Sequence, residues 1–169
     1  MTGALENWGT TAAERAARFP CDALLPEADV ALLRAVDVGA PAATTFRWLC
    51  QLRAAPYSYD AIDNFGRRSP QALTPGLERL EAGQRFMRIF RLASFEPGRS
   101  LTLVTASRLF GRVACTYAAL PAGDERSRVV VRMLVAYRPF TRPLHLAFAA
   151  GDLVMMRRQL LTLAALAEG

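Results

Sequence analysis

Between residues 84 and 137 apolar and polar side chains alternate with period two, and the alternation predicts five strands, at 84–90, 91–96, 100–106, 112–120 and 127–137. Pro97 with Gly98, Phe110 with Gly111, and the run Pro121, Ala122, Gly123, Asp124 mark the turns between them. The last strand is the plainest. Val129, Val131, Met133, Val135 and Tyr137 share one side and Arg128 and Arg132 the other, the pattern of an antiparallel sheet with one dry and one wet face. In the strand before it, Val113, Cys115 and Tyr117 share a face.

Upstream, 30–38 is a Val- and Leu-rich run stopped by Gly39 and Pro41, which reads as another strand. Pro41 suits the first turn of a helix whose apolar face is Thr45, Phe46, Leu49, Cys50 and Leu52, with Arg47 and Arg53 turned away. After Pro56, Ser58 is placed to cap a second, two-turn helix running to Asn64 and closed by Gly66. Near the amino terminus, Thr11 with Glu14 three positions on has capping-box spacing, predicting a short helix to about residue 18, where Pro20 stops it. Residues 1–29 are expected to pack on the outside of the domain through Trp8 and Phe19.

The longest predicted helix is 152–168, opened by Asp152 as cap and flanked by Gly151 and Gly169. Leu153, Met156, Leu160, Leu163, Ala164 and Ala167 form a broad apolar stripe that Val154, Leu161 and Ala165 widen. Only Arg158, Gln159 and Thr162 make a polar seam, so most of the cylinder is expected to need a cover. Strands grouped apart from helices argue α+β, with a curved antiparallel sheet of about six to seven strands wrapped around the terminal helix and two short helices after the first strand.

A chain of 169 residues, 52% hydrophobic, suits one domain, 1–169. Its longest run free of charge, 113–123, is about half of the roughly 20 residues that span a bilayer, so no stable membrane insertion is expected. Glu6 precedes any basic residue and no apolar core follows it, unlike a secretory signal, so a cytoplasmic location is expected. Cys21, Cys50 and Cys115 are odd in number and widely spaced, fitting buried thiols rather than a disulfide framework or a metal site. All 21 basic residues are arginine, which excludes chemistry through a lysine Schiff base, including pyridoxal phosphate. The arginines are scattered, so the net charge of +6 reads as a solvated basic surface rather than a nucleic-acid face.

Several segments carry a resemblance: Trp8-Gly9-Thr10-Thr11-Ala12-Ala13-Glu14, Val36-Asp37-Val38-Gly39-Ala40-Pro41, Phe46-Arg47-Trp48-Leu49-Cys50-Gln51-Leu52, Tyr57-Ser58-Tyr59-Asp60, and Gly151-Asp152. With the order of elements, they resemble the SRPBCC superfamily of helix-grip proteins, which includes START-related lipid-transfer domains, pollen-allergen-like proteins and bacterial polyketide cyclase/dehydratase-like proteins. The chain is similar in particular to bacterial members whose pattern begins Trp-Gly-x-Thr-x-x-Glu. The resemblance implies a deep cavity between sheet and last helix that holds a hydrophobic small molecule, with no cofactor. It carries over no catalytic residue.

The cavity lining expected on that basis is Trp48, Tyr57, Tyr59, Phe86, Phe90, Tyr117, Met133, Tyr137, Met156 and Leu160, with Met155 beside it and Asp60 or Arg157 as a polar anchor. Asp60 and Asp63, one helical turn apart, read more readily as acidic residues in a first turn than as an acid/base pair. His145, the only histidine, has no nucleophile motif near it and rules out two-histidine metal sites within one chain. Three functions stay open: a binder or carrier of a hydrophobic molecule, a cyclase/dehydratase-like enzyme using Tyr59, Asp60 or Tyr117 in the same cavity, and an interaction protein with a basic surface.

Overall fold

The period-two region builds most of one sheet, and the computed structural model, which describes residues 2–107 and 111–169, adds strands at both of its edges. The strands are β1 (Asn7–Trp8), β2 (Val30–Val38), β3 (Arg85–Phe86), β4 (Phe90–Glu96), β5 (Ser100–Ser107), β6 (Gly111–Pro121) and β7 (Ser127–Ala136). They lie in the order β1-β2-β7-β6-β5-β4-β3, an open sheet that is antiparallel except where β1 runs parallel to β2. The helices are α1 (Thr2–Glu6), α2 (Ala12–Ala16), α3 (Pro20–Leu24), α4 (Ala42–Cys50), α5 (Asp60–Asp63) and α6 (His145–Glu168). A curved sheet gripping a long terminal helix, with short helices after the first long strand, is the helix-grip arrangement.

Residues paired across neighbouring strands share a face, so register sorts the gripping face into rows. One row is Arg34, Val131, Tyr117 and Leu101; the next is Leu32, Met133, Cys115 and Leu103; a third is Val30, Val135, Val113 and Thr105. Apart from Arg34 and Leu32, the first two rows join Trp48, Leu49, Leu52, Phe86 and the second half of α6 in the main core. Met156, Leu160, Leu163 and Ala164 are the buried apolar positions there, each large one contributing about 1.5–3 kcal/mol by leaving water.

The terminal helix differs from its expected form in two ways. It starts at His145, out of a 3-10 turn over Arg142–Leu144 that contains Pro143, and so Gly151 and Asp152 lie inside it. Asp152 caps nothing, because its carboxylate is held by Arg34 of β2. The helix is also covered on one side only. Val154 and Leu161 are 54% and 44% exposed, whereas Gln159, expected in the polar seam, is buried.

The outer face of the sheet is drier than the arginines of β7 suggest. Val130 and Leu134 alternate with Arg128 and Arg132 on that side, and Cys21 and Leu25, in and after α3, pack against Ala114 and Leu134. The predicted capping box forms: Glu14 N donates to Thr11 Oγ1 and Thr11 N to Glu14 Oε2. Glu14 also pairs with Arg128, which holds its carboxyl down at about 2, and Arg132 reaches Asp22 at 2.6 Å. Pro20, expected only to stop a helix, opens α3.

Two further elements depart from the pattern. The strand expected at 84–90 is a hairpin, because Met87 and Arg88 adopt left-handed φ values of 43° and 65° without a glycine, and Met87 N donates to Leu52 O. Ser58 does not cap α5; its hydroxyl donates to the Met155 carbonyl and ties the segment before α5 to α6. Phe110, half of an expected turn signal, lies outside the described residues.

Candidate functional site

The third row of the sheet lies at the edge of the main core, with Val113 packed against it. Between this row and the first half of α6 lies a cleft of about 650 Å3. Leu32, Phe90, Val113, Met133 and Val135 form its floor and wall, Ala147, Phe148 and Gly151 of α6 its roof, and exposed Ile89 its lip. Four polar side chains reach the lining: Thr105, Ser107, Tyr137 and Asp152. Tyr137 is stacked on Phe148, with ring centres 5.9 Å apart, which fixes one side of the roof. Burial, followed by the Asp152 and Asp29 carboxylates, holds its phenol above the usual range, so it stays protonated.

Asp152 sits where cleft and core meet. Its Oδ2 accepts from Arg34 Nη2 at 2.9 Å. Arg34 is 1% exposed, and its guanidinium also donates to the carbonyls of Leu5 and Glu6, at the carboxyl end of α1, and to that of Leu33. One buried cation thus joins β2, α1 and α6. Chain-end carbonyls of a helix carry partial negative charge and lack helical partners, which suits them to this role.

Burial pushes the Asp152 carboxyl up to about 6 from an ordinary 3.8, with Arg34 pulling partly the other way. A carboxyl with a raised folded pKa binds its proton more tightly in the folded state, so stability declines as pH rises from about 4 to about 6. Glu14 works oppositely, its contribution being lost as pH falls from about 4.5 toward 2. Across pH 4–6 the thermal midpoint of the wild type is therefore expected to fall relative to that of Asp152→Asn, in which this carboxyl no longer titrates; equal slopes in the two would refute this assignment.

Of the expected lining, Phe90, Met133 and Tyr137 stand in the cleft. Phe86, Tyr117, Met156 and Leu160 lie in the packed core beside it. Tyr117 donates to Gln159 Oε1 at 2.8 Å and Gln159 Nε2 to the Pro56 carbonyl at 2.6 Å, a buried chain that closes this half of the grip. Complete burial keeps the Tyr117 phenol well above its ordinary range. Trp48 and Tyr57 meet edge to face at 6.2 Å in the same core, and burial raises Tyr57 to about 12.

The remaining candidates face elsewhere. Tyr59 is 40% exposed. Both carboxylate oxygens of Asp60 accept from Ser69, one from its amide and one from its hydroxyl, which fastens the loop after α5. The Asp63 side chain lies outside the described residues. Arg157 is exposed, 5.6 Å from the Trp8 ring centre, on the outside of α6. His145 is exposed at the start of α6. Among the described residues, no group of three or more His, Cys, Asp or Glu side chains could hold a metal ion, and no helix is long and apolar enough to cross a membrane.

Sequence reasoning passed over Arg34, Val113, Thr105, Phe148 and Gly151, and it gave Asp152 the wrong task. For Arg34 a signal existed. It shares strand parity with Leu32 and Val36, which places a charge on the apolar face and so demands a buried partner.

No protein-family model matches the sequence, and no curated protein does. Solved structures do match. A solution structure from Thermobifida fusca is 17% identical, with 80% of this chain and 94% of that one aligned at a TM-score of 0.54. A START superfamily protein from Mycobacterium smegmatis is 14% identical, with 80% and 97% aligned at 0.51. The di-domain ARO/CYC BexL, from the BE-7585A biosynthetic pathway, is 15% identical over 82% of this chain at 0.52, and the chain spans 46% of its length. At these identities the likeness establishes the fold.

Proposed function

We propose that this chain, which has the helix-grip fold of START superfamily and ARO/CYC structures, binds or carries a hydrophobic small molecule in the cleft under the first half of α6. The observation that carries the reading is the cleft itself. Its volume of about 650 Å3 falls within the roughly 300–1,000 Å3 of small-molecule sites, and its lining is apolar with a few placed polar groups. Phe90, Met133, Val113 and the stacked Tyr137 and Phe148 supply contact area.

Gly151 supports it. A glycine inside a helix costs about 1 kcal/mol relative to alanine. No protein atom lies within 4 Å of where its Cβ would stand, so packing within the chain does not require it. At a position lining the cleft, its absent side chain leaves room for a ligand against the helix backbone.

A cyclase/dehydratase-like reaction in the same cleft is the second reading, favoured by the presence of Asp152 and Tyr137 in the lining. Tyr59, Asp60 and Tyr117 are not among the residues that line the cleft. A basic interaction surface is less well supported, since Arg47, Arg99, Arg112, Arg128, Arg132 and Arg142 each meet a carboxylate.

The test uses 1-methylpyrene, a fluorescent apolar probe small enough for the cleft. Saturable binding is expected, with a Kd on the order of 10 µM at ordinary ligand efficiency. Gly151→Leu should weaken binding about 10-fold or more by occupying the roof, while its thermal midpoint stays at or above that of the wild type because helix propensity improves. Absence of saturable binding, or binding unchanged in Gly151→Leu, would refute the reading.

A further inference from the structure

We propose that the ligand is an uncharged, mostly apolar molecule that presents a hydroxyl to Asp152 at the inner end of the cleft. This rests on the cleft being the ligand site, and it narrows what that site accepts. Asp152 lines the cleft and uses Oδ2 on Arg34; its Oδ1 has no hydrogen-bond partner among the described residues and is the acceptor left for an incoming group.

The surroundings select against charge of either sign. Among the described residues, no arginine lines the cleft. The one cation behind Asp152 is Arg34, and its two terminal nitrogens are engaged by the carbonyls of Leu5, Glu6 and Leu33 and by Asp152 itself. Arg34 keeps one unpartnered N–H, at Nε, but it is not part of the lining, so a ligand carboxylate or phosphate entering the cleft would meet the Asp152 carboxylate first. An ammonium would leave water for an apolar site where the only anion is already balanced by a guanidinium at 2.9 Å, so it gains too little to offset its desolvation. A hydroxyl leaves water at small cost and has a charged acceptor waiting, the stronger kind of hydrogen bond. Thr105 and Tyr137, neutral in the same lining, are suited to a second oxygen on the ligand and add no charge.

Four congeners with one ring system separate these cases at pH 7.5: 1-methylpyrene, 1-pyrenemethanol, 1-pyrenecarboxylate and 1-pyrenemethylammonium, titrated by fluorescence into the full chain. The alcohol is expected to bind about 10-fold more tightly than the methyl compound, the gain of one hydrogen bond to a charged acceptor. Both ions are expected to bind more weakly than the methyl compound. In the double variant Arg34→Met/Asp152→Leu, which removes acceptor and cation together, the preference for the alcohol should shrink to within 2-fold or so.

Equal affinity of alcohol and methyl compound in the wild type overturns the proposal while leaving the cleft reading intact. Tightest binding by either ion, or an alcohol preference that survives in the folded double variant, also overturns it. Failure of all four probes to bind removes the cleft reading, and this proposal with it. The wild-type series decides even if the double variant does not fold.

Discussion

Arg34→Met is expected to lower unfolding stability by about 3–5 kcal/mol, the range for removing one partner of a buried ion pair. Methionine fills much of the same volume, so the loss is electrostatic rather than steric. It removes the cation that holds the Asp152 carboxyl down against burial, so folding at neutral pH must bury that carboxyl without its counter-charge. It also leaves the carbonyls of Leu5 and Glu6 without their donor. The double variant Arg34→Met/Asp152→Leu should be more stable than Arg34→Met by at least about 1 kcal/mol, because no stranded charge remains. Urea denaturation of the wild type, both single variants and the double variant measures this. Arg34→Met within about 1 kcal/mol of the wild type would contradict the account, as would a double variant less stable than either single one.

Leu160→Ala is expected to cost about 2–5 kcal/mol, and Leu161→Ala less than about 1 kcal/mol. The two leucines are neighbours in the chain and equally hydrophobic, yet Leu160 is 1% exposed against the sheet and Leu161 44% exposed on the far side of the helix. Denaturant midpoints of the two variants settle which side the sheet grips. Similar losses at both positions would mean that something covers the outer side of α6 in solution.

That pair shows where reading the sequence reaches its limit. A stripe through Leu153, Met156, Leu160 and Leu163 is legible from periodicity, but Val154 and Leu161 widen it until no angle singles out the buried side. Periodicity also found the strands, because two-residue alternation survives in β7 and β6 even where the outer face is half covered. It missed the hairpin at Met87 and Arg88, since turn prediction listens for glycine and asparagine and neither residue is present there. The start of α6 was hidden by Gly151, which resembles a boundary marker when its place in a cleft roof is unknown.

The lining of the cleft was only partly legible. An aromatic or methionine on the sheet's inner parity can be packed or can face open space, and parity does not say which. Tyr117 and Tyr137 illustrate this. Both were expected to line one cavity, but Tyr117 meets Gln159 of α6 and is sealed, whereas Tyr137, just past the end of β7, stands beside the first turns of that helix where the core runs out. What divides them is where along α6 the packed core ends, which depends on side chains far away in the chain rather than on any local residue type. Asp152 was misread for a related reason, because an aspartate after a glycine satisfies the cap rule equally well as a solvent-facing cap or as half of a buried pair.

The central claim is that the interface between α6 and the sheet has a packed half and an open half, and that the open half takes the ligand. Methyl-selective NMR of the chain titrated with 1-methylpyrene tests it most directly. The account predicts shift changes at the methyl groups of Leu32, Val113, Met133 and Val135 and little change at Met156, Leu160 and Leu163. Changes concentrated at those last three residues, or on the outer face at Leu25 and Leu134, would contradict it.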